Sequence, residues 1–167
     1  ADVVHYNWGE TLFTPRATAS FGKHQGPLRS RLAMGAAEFV RGFTPFHDLA
    51  VLKRAGKVIA VTFQGDDIRQ GDRQQARYSH SLADVVAPGY YSAETDAWKR
   101  RSIRAFDQHA DLLYALNPDL LHDLPARARF LPYATVDPLV MRPTPAVNQR
   151  LVVAHAPSDR RVKGTEH

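Results

Sequence analysis

Hydrophobic positions along the chain fall in short continuous runs, separated by stretches with helical spacing. Asp2–Tyr6 (Asp-Val-Val-His-Tyr) is β-branched and stops at Asn-Trp-Gly. Lys57–Phe63 (Lys-Val-Ile-Ala-Val-Thr-Phe) follows Gly56, a residue suited to ending a helix, and precedes Gly65. Leu112–Leu116, Ala128–Pro132 and Leu151–Ala154 read as three further strands. The runs are continuous rather than alternating, which predicts strands covered on both faces and therefore a parallel sheet. Between the runs, Phe46, Leu49 and Leu52 recur at three-residue steps in a helix over Phe46–Ala55. Ile103, Phe106 and Ala110 share one face of a helix over Ala93–Ala110, with Glu94 near its start. Asn117-Pro118-Asp119 opens a short helix, with Asn as the cap and Pro in first position, ending near Pro125. Residues 28–42 form a further candidate helix. Strands alternating with helices in this way predict an α/β fold, a Rossmann-like, mostly parallel sheet flanked by helices.

The stretch 132–149 breaks the pattern. Pro132, Pro138, Pro143 and Pro145 fall within it, and it reads as a linker. Beyond it, Leu151–Ala154 begins a new strand, followed by a loop aimed at a helix start. The expected division is therefore one domain over 1–149 and the beginning of a second over 150–167. A lone strand and loop make a poor end for a domain, and residue 2 already lies inside a strand. The sequence thus reads as a piece of a longer protein.

Composition narrows the chemistry. With 167 residues, 44% apolar and 23% charged, the chain is long enough for one ordinary domain core. It has no Cys, which excludes disulfide scaffolds, thiolate metal sites and cysteine nucleophiles. No apolar run approaches the ~20 residues of a membrane-spanning helix. The net charge is +5, and 17 of the 22 basic residues are Arg, whose planar fork suits phosphates and carboxylates. The densest basic knots are Lys99-Arg100-Arg101 and Arg160-Arg161-Val162-Lys163. The first reads as a solvated helix face.

Four clusters follow strand ends, the edge at which open α/β sheets hold ligands. In Thr62-Phe63-Gln64-Gly65-Asp66-Asp67-Ile68-Arg69, Gln64 offers a donor and an acceptor, and Asp66 and Asp67 offer acceptors for hydroxyls or a metal. A polar turn capped by an Asp would look the same. In His5-Tyr6-Asn7-Trp8-Gly9-Glu10, the aromatic rings can stack on a sugar or base and His5 can hydrogen-bond, although a strand histidine is commonly a core residue. Asn117 follows a third strand and is also explained by capping. Ser158-Asp159-Arg160-Arg161-Val162-Lys163-Gly164-Thr165 puts a hydroxyl and cations before a helix start, an anion site in outline. The spacings of a Walker loop, a Gly-x-Gly-x-x-Gly turn, a His-Glu-x-x-His helix and a Gly-x-Ser-x-Gly elbow are all absent.

The ordered set of segments 2–9, 52–69, 110–121, 130–137 and 153–165 resembles glycosyltransferase family 4. Val-Ala-His-Ala-Pro-Ser-Asp-Arg-Arg-Val-Lys-Gly-Thr, over 153–165, is the most specific of them. The resemblance implies a GT-B enzyme with two Rossmann-like domains facing a cleft. Such an enzyme transfers a sugar from a nucleotide-activated donor with retention of configuration, with no cofactor and no metal in the active site. It implies acceptor contacts from His5, Asn7, Trp8, Gln64, Asp66 and Asn117, and donor-phosphate contacts from Ser158, Arg160, Arg161, Lys163 and Gly164. Lys163 matches the family's phosphate-contacting lysine. Its usual arginine partner falls where this chain has Pro157, and Gln64 stands where many members carry His. The family's paired-glutamate donor motif would lie beyond His167, so this piece alone is expected to be inactive. Implied partners are a nucleotide sugar and a carbohydrate, lipid or other small acceptor, and not nucleic acid. The implied location is cytoplasmic, including the inner membrane face. Two rival functions fit the residues as well: a Rossmann-like module that holds a sugar or phosphate without transfer, and a basic nucleic-acid binder.

Overall fold

The computed structural model describes residues 2–13, 44–86, 88–133, 137 and 139–141. It is an α/β fold built on a parallel sheet. In chain order the elements are β1 (Val3–Tyr6), α1 (His47–Arg54), β2 (Val58–Phe63), α2 (Gly71–Arg77), α3 (Leu82–Val85), α4 (Ala93–His109), β3 (Leu112–Ala115), a 3-10 helix (Pro118–His122) and β4 (Arg129–Phe130). The four strands lie in the order β1-β2-β3-β4, every pair parallel. The sheet therefore grows in one direction, and its carboxyl edge collects the loops that follow each strand.

Strand β2 is central because its sequence tolerates burial on both sides. Ile59, Val61 and Phe63 are fully buried, and Ala60 and Thr62 nearly so. The strands on either side of β2 are less covered than continuous apolar runs predict. Val3 and His5 in β1 and Leu112 in β3 are exposed. Strand β4 is limited to two residues, both exposed, where five were expected.

Helix α1 ends as its sequence predicts. Gly56 takes φ 68°, and the amides of Gly56 and Lys57 donate back to the carbonyls of Lys53 and Leu52, each at 3.0 Å. This closes the last turn in the manner that only a residue without Cβ adopts cheaply. Helix α4 starts at Ser92, whose hydroxyl accepts from the Thr95 amide at 3.2 Å while the Thr95 hydroxyl accepts from the Ser92 amide at 2.8 Å. Its buried face carries Ile103 and Phe106, with Ala110 just beyond its end, as the spacing predicts. Phe106 is the hub of the core. Its ring meets Tyr6, Phe46 and Phe63 edge-on at centroid distances of 5.5, 6.4 and 5.8 Å.

Helices α2 and α3 were not expected from the sequence. The first two amides of α2, on Gly71 and Asp72, are capped by the carboxylate of Asp96 from α4, at 2.9 and 3.0 Å. The cap lies 25 residues from the amide it satisfies, so no local signal marks this helix start. Gly71 is required there because a Cβ would come within 2.5 Å of the Tyr91 Cβ. Asn117 caps the 3-10 helix by position only. Its side-chain amide donates instead to the Gln64 carbonyl at 2.6 Å, and the helix stops at His122, short of Pro125.

The candidate helix over 28–42, the strand over 151–154 and all but a few residues of the stretch 132–149 lie outside the described residues, as does the whole second domain expected over 150–167. Among the described residues, no helix is long and apolar enough to cross a membrane. Removing the hub should cost what emptying an aromatic site usually does. Phe106→Ala is expected to lower unfolding free energy by about 3–5 kcal/mol, measured by urea denaturation against the parent chain.

Candidate functional site

The loops after β1, β2 and β3 meet at the carboxyl edge and are tied to one another. Gln64 donates through its side-chain amide to the Asn7 carbonyl at 2.7 Å, and its own carbonyl accepts from Asn117. Thus Asn7, Gln64 and Asn117, one from each loop, form a continuous hydrogen-bonded line. His5 sits one residue inside β1, with its Nε2 2.8 Å from the Thr62 hydroxyl.

Asp67 holds the same loops from beneath. One carboxylate accepts from the amides of Gly65 at 2.7 Å, Gly9 at 2.8 Å and Gln64 at 3.1 Å. Those amides belong to chain leaving β1 and β2, where no sheet partner remains. Gly9 is close enough to Phe63 that a Cβ would crowd its ring at 3.2 Å. Asp67 is therefore an acceptor for loop backbone and not a helix cap. Burial pushes its carboxyl above the usual carboxylate range, and the three amides pull it partly back.

Below the rim is a cavity of about 30 Å³, bounded by Trp8, Glu10, Asp66, Tyr90, Trp98 and Lys99. It has room for water and not for a sugar ring. Of the six acceptor residues implied by the sequence, Trp8 and Asp66 line this cavity. Asn7, Gln64 and Asn117 form the rim, and His5 lies within β1. Asp66 receives the hydroxyls of both Tyr90 and Tyr91, one on each carboxylate oxygen. The carboxylate is thereby arranged to hold two neighbouring hydroxyl groups. Burial first, and then the bond to Asp66, raise the Tyr91 phenol far above its ordinary pKa, so it remains a donor.

Lys99 corrects the expectation of a solvated basic knot. It is buried, donates to the Arg69 carbonyl at 2.7 Å, stands 3.9 Å from Asp66 and lies 4.4 Å from the Tyr91 ring centre. Burial lowers its pKa, and the charges of Asp66, Asp96 and Asp67 oppose that fall. Arg100 is engaged too, donating to Asp72 at 2.9 Å and to Gln70 at 3.0 Å. Only Arg101 of the three is a plainly exposed cation.

Sequence reasoning read Lys99 as part of a solvated face and did not single out the two tyrosines. The doublet Tyr90-Tyr91 just ahead of the helix start at Ser92 is the one local signal that could have drawn attention to them. Ser158, Arg160, Arg161, Lys163 and Gly164, the implied donor-phosphate residues, lie outside the described residues. No group of three or more His, Asp or Glu side chains able to hold a metal occurs among the described residues.

Glu10 carries the clearest electrostatic burden of the rim. Burial raises its pKa first, the nearby Asp67 charge raises it further, and a hydrogen bond from Trp8 offsets part of the rise. A carboxyl whose folded pKa is raised weakens folding as pH climbs from the ordinary carboxylate range through the raised value. Below that range it is protonated in both states and exerts no such effect. Glu10→Gln keeps an acceptor for Trp8 and is expected to raise the melting temperature at neutral pH. The gain should shrink toward zero near pH 4, as read by thermal denaturation across a pH series.

Comparison with protein-family models, with curated protein sequences and with solved structures gives no match to this chain. What stands is the arrangement itself: a parallel α/β sheet whose carboxyl edge joins two tryptophans, three carboxylates and a buried lysine around a small polar cavity.

Proposed function

We propose that the chain forms the acceptor side of a GT-B glycosyltransferase, which moves a sugar from a nucleotide-activated donor to a hydroxyl-bearing acceptor with retention of configuration. The observation that carries this reading is Asp66 at the carboxyl edge, already holding two hydroxyl groups beside the Trp8 ring. A polyol presented there can replace the exposed Tyr90 hydroxyl on one carboxylate oxygen while its carbon face lies against an indole. Opening of the segment that carries Tyr90 would enlarge a cavity otherwise too small for a sugar.

On this reading the residues divide the labour by position. Asp66 accepts acceptor hydroxyls and orients them. Gln64 cannot take a proton, and its amide is committed to Asn7, so it shapes the rim and leaves its side-chain oxygen as an acceptor. Lys99 offsets carboxylate charge within the cavity. Residues 158–164 would meet the donor diphosphate. There Lys163 and the start of the helix expected after it stabilise the charge that grows on the leaving group.

The test uses the longer protein that contains this chain with its donor half. It is assayed for transfer from a panel of nucleotide sugars to sugars and polyols. Asp66→Asn is expected to lower kcat/KM for the acceptor by about 10–100-fold, the loss associated with a charge-assisted hydrogen bond. Donor hydrolysis in water should be unchanged. Tyr90→Phe should retain activity, because the acceptor displaces that hydroxyl. Lys163→Ala is expected to slow transfer by about 10²–10³-fold with little change in melting temperature. Saturable sugar binding with no transfer to any acceptor would replace this proposal with the non-catalytic binding module. Full activity in both Asp66→Asn and Lys163→Ala would remove the assigned site.

A further inference from the structure

Between α4 and the start of α1 lies a second charged feature that the proposed function does not use. Arg69, Arg73, Arg77, Arg100 and Arg127 are all ion-paired with aspartates, at 2.7–3.3 Å. Arg101 and Arg104 have no carboxylate partner among the described residues. They are three positions apart on α4, which places them on one helix face. They form a wall of an open groove of about 350 Å³ between α4 and the start of α1, with His47 and His109 also lining it.

Among the described residues, no acidic side chain lines the groove. Asp107 on α4 is engaged by Arg127 at 2.7 Å. Asp48 in the first turn of α1 is buried, and its carboxylate accepts from the Tyr6 hydroxyl at 2.9 Å and the Leu12 amide at 3.1 Å. Arg101 is held in place: its guanidinium lies 5.7 Å from the centre of the Trp98 ring, which is itself stacked on Phe46 at 5.3 Å. Phe46 forms the groove floor and begins α1 without a side-chain cap. A guanidinium packed on an indole and a second one turn away on the same groove give a pair of charged, multi-donor groups that suits a compact, multiply charged anion.

We propose that this groove binds a phosphate group through Arg101 and Arg104. The proposal is independent of the sugar-transfer reading and concerns a different surface of the molecule. The ligand is a phosphate ester, soluble or carried on a lipid headgroup.

The experiment titrates the whole chain with inorganic phosphate and with pyrophosphate, followed by amide NMR shifts. A second arm measures sedimentation with phosphatidylcholine vesicles, with and without phosphatidic acid. The expected result is saturable binding, with shifts concentrated in residues 46–50 and 101–109. Arg101→Ala and Arg104→Ala are each expected to weaken binding about tenfold, equivalent to about 1.4 kcal/mol. The pair together should abolish it. Arg54→Ala removes an equal charge from an exposed position outside the groove and should leave binding intact. Binding of free phosphate assigns a soluble ester, and binding confined to phosphatidic acid vesicles assigns a lipid headgroup. Absence of saturable binding in both arms overturns the proposal. So does equal weakening by Arg54→Ala, which marks attraction to net charge alone. Thermal denaturation of each variant checks that the fold is retained.

Discussion

The carboxyl edge of this sheet depends on one buried carboxylate. When parallel strands end, the chain turns away and its amides lose their ladder partners, yet they remain too enclosed for water. Asp67 resolves this for three amides at once, on Gly9, Gln64 and Gly65. It thereby joins the exit of β1 to the exit of β2. Ionising a buried carboxyl is unfavourable, and the three amides offset that penalty. Neither the acid nor the loops would hold this arrangement separately.

The rim follows from that junction. With the two exits tied together, Gln64 reaches the Asn7 carbonyl and Asn117 reaches Gln64, so β3 is added to the same line. Asp66, the neighbour of Asp67 in sequence, is then presented to Tyr90, Tyr91 and Lys99. Two successive aspartates thus serve opposite ends. Asp67 is consumed by backbone, while Asp66 is met by side chains, two phenol hydroxyls and an ammonium.

Much of this fold was legible in the sequence, for reasons that can be stated residue by residue. The run Val58–Phe63 is β-branched and apolar enough to demand a central strand, and Gly56 marks the helix end before it. Ile103, Phe106 and Ala110 reveal the buried face of α4 because their spacing repeats the helical period. The placement of Asn7, Gln64 and Asn117 at one edge follows from parallel strands alone. Helix α2 was not legible, because Gly-Asp-Arg-Gln-Gln-Ala-Arg has no apolar stripe and its cap is Asp96 on another helix. Helix α3 is a single turn, although Ser81 and Asp84, joined by side-chain and backbone hydrogen bonds, carry its local signature. Lys99 was misjudged because a run of cations reads as solvent-facing. Only the fold reveals that the first of the three turns inward toward Asp66. The individual roles of Asp66 and Asp67 were likewise hidden, since adjacent identical residues differ only in where the backbone aims them.

The cap that Asp96 places on α2 also bears on the order in which the chain can assemble. A seven-residue helix without a stabilising stripe does not persist alone in water. Its first turn is completed by a carboxylate that arrives only when α4 is docked. Formation of α2 is therefore slaved to that later event, and the amides of Gly71 and Asp72 should exchange with solvent at the rate at which α4 detaches. Those two protons act as reporters of a distant joint.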